Sequence, residues 1–501
     1  MPDLAYCYLP DECANCCLSN GCASPTAAAS PTAVVSPTAA ASPTTPPTTP
    51  MPPKPTDDSF GMAFLALGDW GVTGDDCNLN DANCAGHSSA TRGLTNRWDA
   101  DYNRSYFAQV NVATSMSAFM QQTPLKPNFL LAQGDNFYWA GIKYGDDYRW
   151  RDRWANVYNK PGFKDLPWYN VMGNHDYGGG SGICGPVAAD NWIRGDLCET
   201  AEMMEEAIML KIKAQKDGPS ATNTHPDAPS WRMPSHNYEL KFNFTDKNGE
   251  VVKIHIYNMD TNVAGQRMQE TCCQCFGYWP QGANLSNKTK QWIKDNGGTE
   301  GAIIGTSACH AVHQGSPGCH ASNFGGGSFD KCKSMMEQWW DDGLAEMTKV
   351  FSASDADWKI FHNHYMLNHQ NEGHFSAPQA TQLRAILKKL NVRLFLGGHT
   401  HAEGHGYGED EKVHYFLNGG GGGAKMEAWG SGNFWEQHTY GWISARVSKN
   451  WLQMKVHSDL DQTGKSHIHC INIPKDSSLE PAGFATSWKT NTLAADSPFR
   501  C

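Results

Sequence analysis

From residue 62 onward, short runs of aliphatic and aromatic residues recur between polar stretches: Met62–Leu67, Phe129–Ala132, Tyr169–Met172, Val251–Asn258, Trp358–Phe361 and Val392–Leu396. Runs of this length and content predict strands. Between some of them lie helix-like stretches, Ser105–Met120, Glu199–Ala214, Lys331–Val350 and Pro378–Leu390. Strands alternating with helices predict a layered α/β fold. Lys241–Asn258 reads differently: two β-like runs flank Asp246-Lys247-Asn248-Gly249, a hairpin turn signal. The expectation is therefore an α/β fold with mixed sheets.

Residues just beyond the strands carry the chemistry. Met62–Leu67 runs into Gly68-Asp69-Trp70-Gly71, and Phe129–Ala132 into Gly134-Asp135-Asn136-Phe137-Tyr138. Tyr169–Met172 runs into Gly173-Asn174-His175-Asp176, Trp358–Phe361 into His362-Asn363-His364, and Val392–Leu396 into Gly398-His399-Thr400-His401. Ligands of open α/β sheets bind beyond the carboxyl ends of strands. Glycines there let the chain turn sharply and approach a ligand closely. Singly, each motif has an ordinary explanation: Gly-Asp as a turn, Asn174-His175-Asp176 as a helix cap, His364 as a core histidine, and His399 and His401 as neighbours on one strand face. Jointly, five strand ends deliver a complete two-metal ligand set.

Composition narrows the class. With 40% hydrophobic residues the 501-residue chain can build a core, which excludes wholesale disorder. Its 40 Lys+Arg against 51 Asp+Glu give a net charge of −11, the wrong sign for a nucleic-acid binder. No apolar run is long enough to predict a membrane span. Seventeen cysteines and four Asn-x-Ser/Thr sequons, at Asn103, Asn243, Asn284 and Asn287, point to an oxidising secretory compartment or a secreted product. The first residues show no basic and apolar leader, so this reading expects a leader removed or lying upstream.

Four segments are expected. Residues 1–22 hold five cysteines, an odd number that leaves at least one to pair elsewhere or stay free. Residues 23–57 repeat Ser-Pro-Thr from Ser24, Ser30, Ser36 and Ser42 before Pro and Thr take over, the composition of an extended stalk. At about 3.1 Å per residue it would reach on the order of 100 Å. A catalytic domain is expected over 58–475, with insertions near 178–235 and 264–335, and then a tail over 476–501. The second insertion mixes Cys272, Cys273, Cys275, Cys309, Cys319 and Cys332 with His310, His313 and His320. A disulfide-stapled loop explains it more simply than a further zinc site.

The order Gly-Asp-Trp-Gly, Gly-Asp-Asn-Phe-Tyr, Gly-Asn-His-Asp, a lone His, then Gly-His-Thr-His resembles the calcineurin-like metallophosphoesterases. Within them it is similar to the purple acid phosphatases, especially the small tartrate-resistant animal type, because Tyr138 stands three residues after Asp135. Trp168-Tyr169, Met259-Asp260-Thr261 and Tyr415–Gly423 add to the likeness, which covers roughly residues 60 to 450. The resemblance implies a metallophosphoesterase-type β-sandwich flanked by helices, with a dinuclear site at the strand C-terminal ends. It implies Fe(III) held by Asp69, Asp135, Tyr138 and His401, and a divalent Fe, Zn or Mn held by Asp135, Asn174, His364 and His399. Oxygen donors suit the harder ion and imidazoles the borderline one. Also implied are phosphate monoester substrates, in-line attack by hydroxide held at the metal pair, and His175 and His374 as substrate-contacting residues. For His374, His369 is a competitor.

The sequence departs from the family at Asn363, where Gly is usual, and at Met366, where Pro is common. Thr463-Gly464-Lys465-Ser466 ends like a phosphate-binding loop, but Asp459 occupies the first glycine position. His401-Ala402-Glu403-Gly404-His405 lacks the zinc-protease order. Two other functions fit parts of the chain. The same metals would serve a phosphodiesterase or nucleotide hydrolase, and the cysteine-rich head and stalk would suit a surface protein contacting glycan or cell wall.

Overall fold

The computed structural model describes residues 51–71, 107–138, 141–142, 145, 147, 149–178, 201–218, 230–264, 328–367, 374–423, 434–481, 483–484, 494 and 496–501. The cysteine-rich head, the Ser-Pro-Thr repeats, three of the sequons and the cysteines of the second insertion other than Cys332 fall outside these residues. Cys332 lies within a helix, its side chain outside the description.

Two mixed seven-stranded sheets form the centre. In the first, β1 (Met62–Leu67), β2 (Leu130–Ala132), β3 (Trp168–Asn170) and β4 (Trp231–Arg232) run parallel to one another. The second contains the hairpin β5 (Tyr238–Thr245) and β6 (Val251–Asn258), then β7 (Trp358–His362) and β8 (Leu394–Gly397) parallel to β6. It continues through β9 (Glu403–Gly408), β10 (Val413–Asn418) and β11 (Phe434–Gln437). The first sheet is completed by antiparallel β12 (Gly441–Val447), β13 (Trp451–Ser458) and β14 (His469–Pro474), with β12 beside β1.

The central strands read as unbroken hydrophobic runs because both of their faces are covered. Along β1, Met62, Phe64 and Ala66 join the core between the sheets with Ile254, Ile360, Leu396 and Ile443, while Leu65 and Leu67 face outward. The outer face of the first sheet is covered by helix α1 (Ala108–Gln122) and an aromatic cluster around Trp70, Trp150, Trp168 and Trp231. The outer face of the second carries α2 (Ala201–Asp217), α3 (Ser328–Ser352) and α4 (Ala377–Lys389) through Ile212, Met347 and Leu387. No described helix is long and apolar enough to cross a membrane.

Differences from the sequence expectation have local causes. Val392 lies in the turn that closes α4 rather than in β8, because Asn391 turns left-handed (φ 54) and the Val392 amide bonds back to Leu387 O at 3.0 Å. Val171 and Met172 lie beyond β3, where the chain already bends toward Gly173. At the start of the described chain, Pro53 O accepts from the Trp451 indole at 3.0 Å and Asp57 pairs with Arg446 at 2.8 Å, so residues assigned to the stalk lie on the body. At the other end, Phe484 and Phe499 are buried, and a disulfide joins Cys470 of β14 to Cys501. The Thr463–Ser466 turn is held by the Asp461 carboxylate, which accepts from Thr463 and Ser466.

Candidate metal centre

Parallel strands of both sheets end at one edge of the sandwich, and the loops beyond them converge there. Asp69 follows β1, Asp135 follows β2, Asn174 follows β3, His364 follows β7, and His399 and His401 follow β8. Asp69, Asp135 and His399 have φ of 58, 50 and 74, in the left-handed region that residues with a Cβ seldom enter. Strained backbone of this kind persists at functional sites, where the surrounding fold enforces it. A Cβ on Gly173 would lie 2.2 Å from Asp135 Oδ1, and one on Gly398 would lie 2.3 Å from Asp69 Oδ2. Glycine at these two positions is what lets the loops close over the carboxylates.

Two groups of ligand atoms share Asp135: Asp135, His364 and His399, and Asp69, Asp135 and His401, each within 4.8 Å. Around the first, His364 Nδ1 donates to Gln133 O at 2.7 Å, since a carbonyl only accepts. That bond assigns a proton to Nδ1 and turns Nε2 toward Asn174 Oδ1 at 3.1 Å and His399 Nδ1 at 3.3 Å, the side from which a metal would be held. Around the second, Tyr138 OH lies 3.2 Å from Asp69 Oδ1 and 3.0 Å from His401 Nε2. The His399 amide donates to Asp69 Oδ2 and the His175 amide to Asp135 Oδ1, both at 2.8 Å.

The donor set fits a pair of cations. Asp135 Oδ2 is buried with no hydrogen-bond partner among the described residues, a costly arrangement unless a positive charge faces it. Burial and the neighbouring Asp135 carboxylate push the Asp69 carboxyl well above its ordinary range. Burial opposes ionisation of Asp135 too, but His364 and His175 outweigh it and hold that carboxyl low. Two buried carboxylates, a phenol, three imidazoles and an amide oxygen together suit two metal ions rather than an apolar ligand.

His175 and His374 flank this row. The His175 ring packs 4.3 Å from that of Tyr138, and the His374 ring lies 4.5 Å from that of His399 and 4.6 Å from that of Tyr365. His369 lies outside the described residues.

A supporting network has no counterpart in the sequence reading. The buried Asp176 carboxylate accepts from the amides of Gly173 (2.8 Å), Asn136 (3.1 Å) and Phe137 (3.2 Å), tying the Asp135 loop to the Asn174 loop. Gln215 of α2 completes it: its Nε2 donates to Asp176 at 2.7 Å and its Oε1 accepts from Asn136 Nδ2 at 3.1 Å. Burial, then the charge of Asp135, raises Asp176 to about 7 against these donors. Asp176 was visible beside His175, but Gln215 sits 39 residues further on, inside the first insertion, with nothing local to mark it. The insertion therefore contributes a helix that braces the site. Gln215→Leu is expected to weaken metal retention about 10–100-fold, read by competition with a chelator. Unchanged retention with only a lower melting temperature would reduce Gln215 to a packing residue.

The family model "Calcineurin-like phosphoesterase" matches residues 62–403. Purple acid phosphatase 3 of Arabidopsis thaliana is 30% identical over 127 residues, 25% of this chain and 25% of that protein. Tartrate-resistant acid phosphatase type 5 of Sus scrofa is 28% identical over 80 residues, 16% of this chain and 24% of that one. The matched stretches thus span about a quarter of each relative's length. Among solved structures, "GAP50 the anchor in the inner membrane complex of Plasmodium" superposes with a TM-score of 0.47 at 16% identity, covering 87% of this chain and 95% of that one. The yellow lupin purple acid phosphatase PPD1 gives 0.42 at 11%, covering 82% and 53%.

Proposed function

The chain belongs to the calcineurin-like phosphoesterase family, and on that premise we propose that it is a secreted acid phosphatase hydrolysing phosphate monoesters at a dinuclear Fe(III)–M(II) centre, M being Fe, Zn or Mn. One observation carries the reading: two ligand groups share Asp135, and Tyr138 stands beside His401 and Asp69 in the second of them. Asp69, Asp135, Tyr138 and His401 would hold the trivalent ion, and Asp135, Asn174, His364 and His399 the divalent one. When bound, the metals supply Lewis-acid charge and a hydroxide nucleophile below neutral pH.

The chain's own residues do the rest. Gln133 O keeps His364 in the tautomer that offers Nε2. The amides of His399 and His175 orient the two carboxylates before substrate arrives, so little reorganisation is needed during reaction. His175 and His374, at opposite ends of the ligand row, would contact the phosphate, and a ring N–H would pass a proton to the departing alkoxide. The Cys470–Cys501 disulfide supports the secreted part of the reading.

The test compares rates on a chromogenic phosphomonoester and a phosphodiester across pH. A monoester preference with an acidic optimum is expected, and a diester preference would assign the site to diester or nucleotide hydrolysis. Tyr138→Phe is expected to abolish a visible tyrosinate-to-iron absorption band. A colourless wild-type protein loaded with Fe(III) would remove the purple-phosphatase assignment.

A further inference from the structure

β5 is the edge strand of its sheet, eight residues long, with an outward row of Glu239, Lys241, Asn243 and Thr245, all exposed. Its other face sends Leu240, Phe242 and Phe244 against the core between the sheets. Such an edge leaves backbone amides and carbonyls unpaired and invites association unless something blunts it. Among the described residues, the helical layer leaves this outward row exposed. α3 ends at Ser352, and its last turn covers β6, with the Phe351 ring 4.8 Å from that of His255. Beyond that end lies an open groove of about 400 Å³, within the roughly 300–1,000 Å³ typical of small-molecule sites. Val350 and Ala353 line it beside Lys241 and Lys253, and Asn243 itself lines it, whereas the Ile254 side chain at its base turns into the core between the sheets.

Asn243-Phe244-Thr245 is a glycosylation sequon. We propose that Asn243 carries an N-linked glycan whose first sugars lie in this groove. The inference rests on the secretory part of the proposed function. In the transfer, a bond forms between Asn243 Nδ2 and the anomeric carbon of the first N-acetylglucosamine. The bond from that carbon to a lipid-pyrophosphate carrier breaks, the pyrophosphate leaves with the electron pair, and a transferase base takes the amide proton. Folding then accepts the product, because Asn243 points away from the core and pairs across the hairpin with Lys253 through backbone alone. Apolar floor and flanking amines match the two chemistries of a pyranose, its C–H face and its hydroxyls. The glycan shields the edge that the described helices leave open.

The full chain, secreted from a eukaryotic host, is mapped by enzymatic deglycosylation in heavy-oxygen water and peptide mass spectrometry. Label at Asn243 is expected, lost in Thr245→Ala and retained in Thr245→Ser. Removal of the core sugars by an endoglycosidase is expected to be about tenfold slower at Asn243 in the native protein than in the denatured chain, as when roughly nine-tenths of the glycan is seated. A secreted, active chain with Asn243 bare overturns the proposal and leaves the phosphatase reading intact. Equal cleavage rates in native and denatured protein overturn the seating in the groove. Phosphatase activity is expected to be the same in Thr245→Ala.

Discussion

Asp135→Asn is expected to lower kcat/KM for a phosphomonoester by roughly 10³-fold or more, about 4 kcal/mol of transition-state stabilisation, and to leave the protein unable to hold two metals. Among the described residues, Asp135 is the one shared by both candidate ligand groups, so loss of its carboxylate would weaken both metal positions at once. Asparagine is the informative replacement. The backbone at 135 is left-handed (φ 50), a conformation that Asn tolerates and Ala resists, so Asp135→Ala would mix backbone strain into the result. Asn also keeps an oxygen for the His175 amide. Removing the charge should relieve the repulsion that pushes Asp69 upward in metal-free protein. The metal-free variant is therefore expected to melt above metal-free wild type while its activity is lost, the trade-off of a site built at the expense of stability. Metal content by mass spectrometry, turnover and melting temperature check the three parts. Full activity with two bound metals in the variant would remove Asp135 from the bridging position.

The residues that converge at the strand ends were legible in the sequence, and the structure shows why they meet. Each lies within a few residues of a strand that is itself legible, so Met62–Leu67 and Val251–Asn258 appear with the expected bounds, and position along the chain translates directly into position at the sheet edge. β9 was not legible. Glu-Gly-His-Gly-Tyr-Gly carries no apolar run, yet every residue of it is buried, because the polar atoms of Glu403, His405 and Tyr407 find buried polar partners while the His405 and Tyr407 rings pack on Phe416 and Phe484. Long-range polar partners leave no periodic trace. Gln215 reaches Asp176 across 39 residues, and Arg393 reaches Glu480 across 87. The loops that carry the candidate ligands were therefore foreseeable, whereas the side chains that hold those loops and bind the sheets together were not.

That second polar cluster gives the largest expected stability effect. Arg393, 1% exposed, donates to Glu480 Oε1 at 2.5 Å, His414 Nε2 lies 2.8 Å from the same oxygen, and Tyr407 OH donates to Glu480 Oε2. From His414 a line of imidazoles continues: His405 Nε2 lies 3.0 Å from His414 Nδ1, and His469 Nε2 lies 3.0 Å from His405 Nδ1. Because His414 donates Nε2–H to a carboxylate, its Nδ1 accepts, and each neutral ring donates one bond and accepts the next. Glu480→Ala strips Arg393, Tyr407 and His414 of a common acceptor and leaves a guanidinium charge buried. A loss of about 3–5 kcal/mol is expected, a large part of the roughly 5–15 kcal/mol available to a domain. The pH dependence has a definite sign. Burial lowers His405 and His469, helped by neighbouring imidazoles, with His469 near 3; it also lowers His414, although Glu480 opposes it. The fold holds these rings neutral while the unfolded chain protonates them near 6.5, so stability is full above that value and falls as pH drops toward 3. For His469 this amounts to roughly 2 kcal/mol by pH 5. Glu480, held low by His414 and Arg393 despite burial, loses stability in the same direction. The nearby Cys470–Cys501 bridge, closing a loop of 31 residues, offsets this by roughly 3–4 kcal/mol. An enzyme working in acid would thus depend on its disulfide and its metals for persistence. Unfolding midpoints at pH 8 and pH 5, with and without reductant, check the argument. Wild-type stability that stays level between the two pH values, or Glu480→Ala within about 1 kcal/mol of wild type, would show that the imidazole line is not the acid-sensitive element.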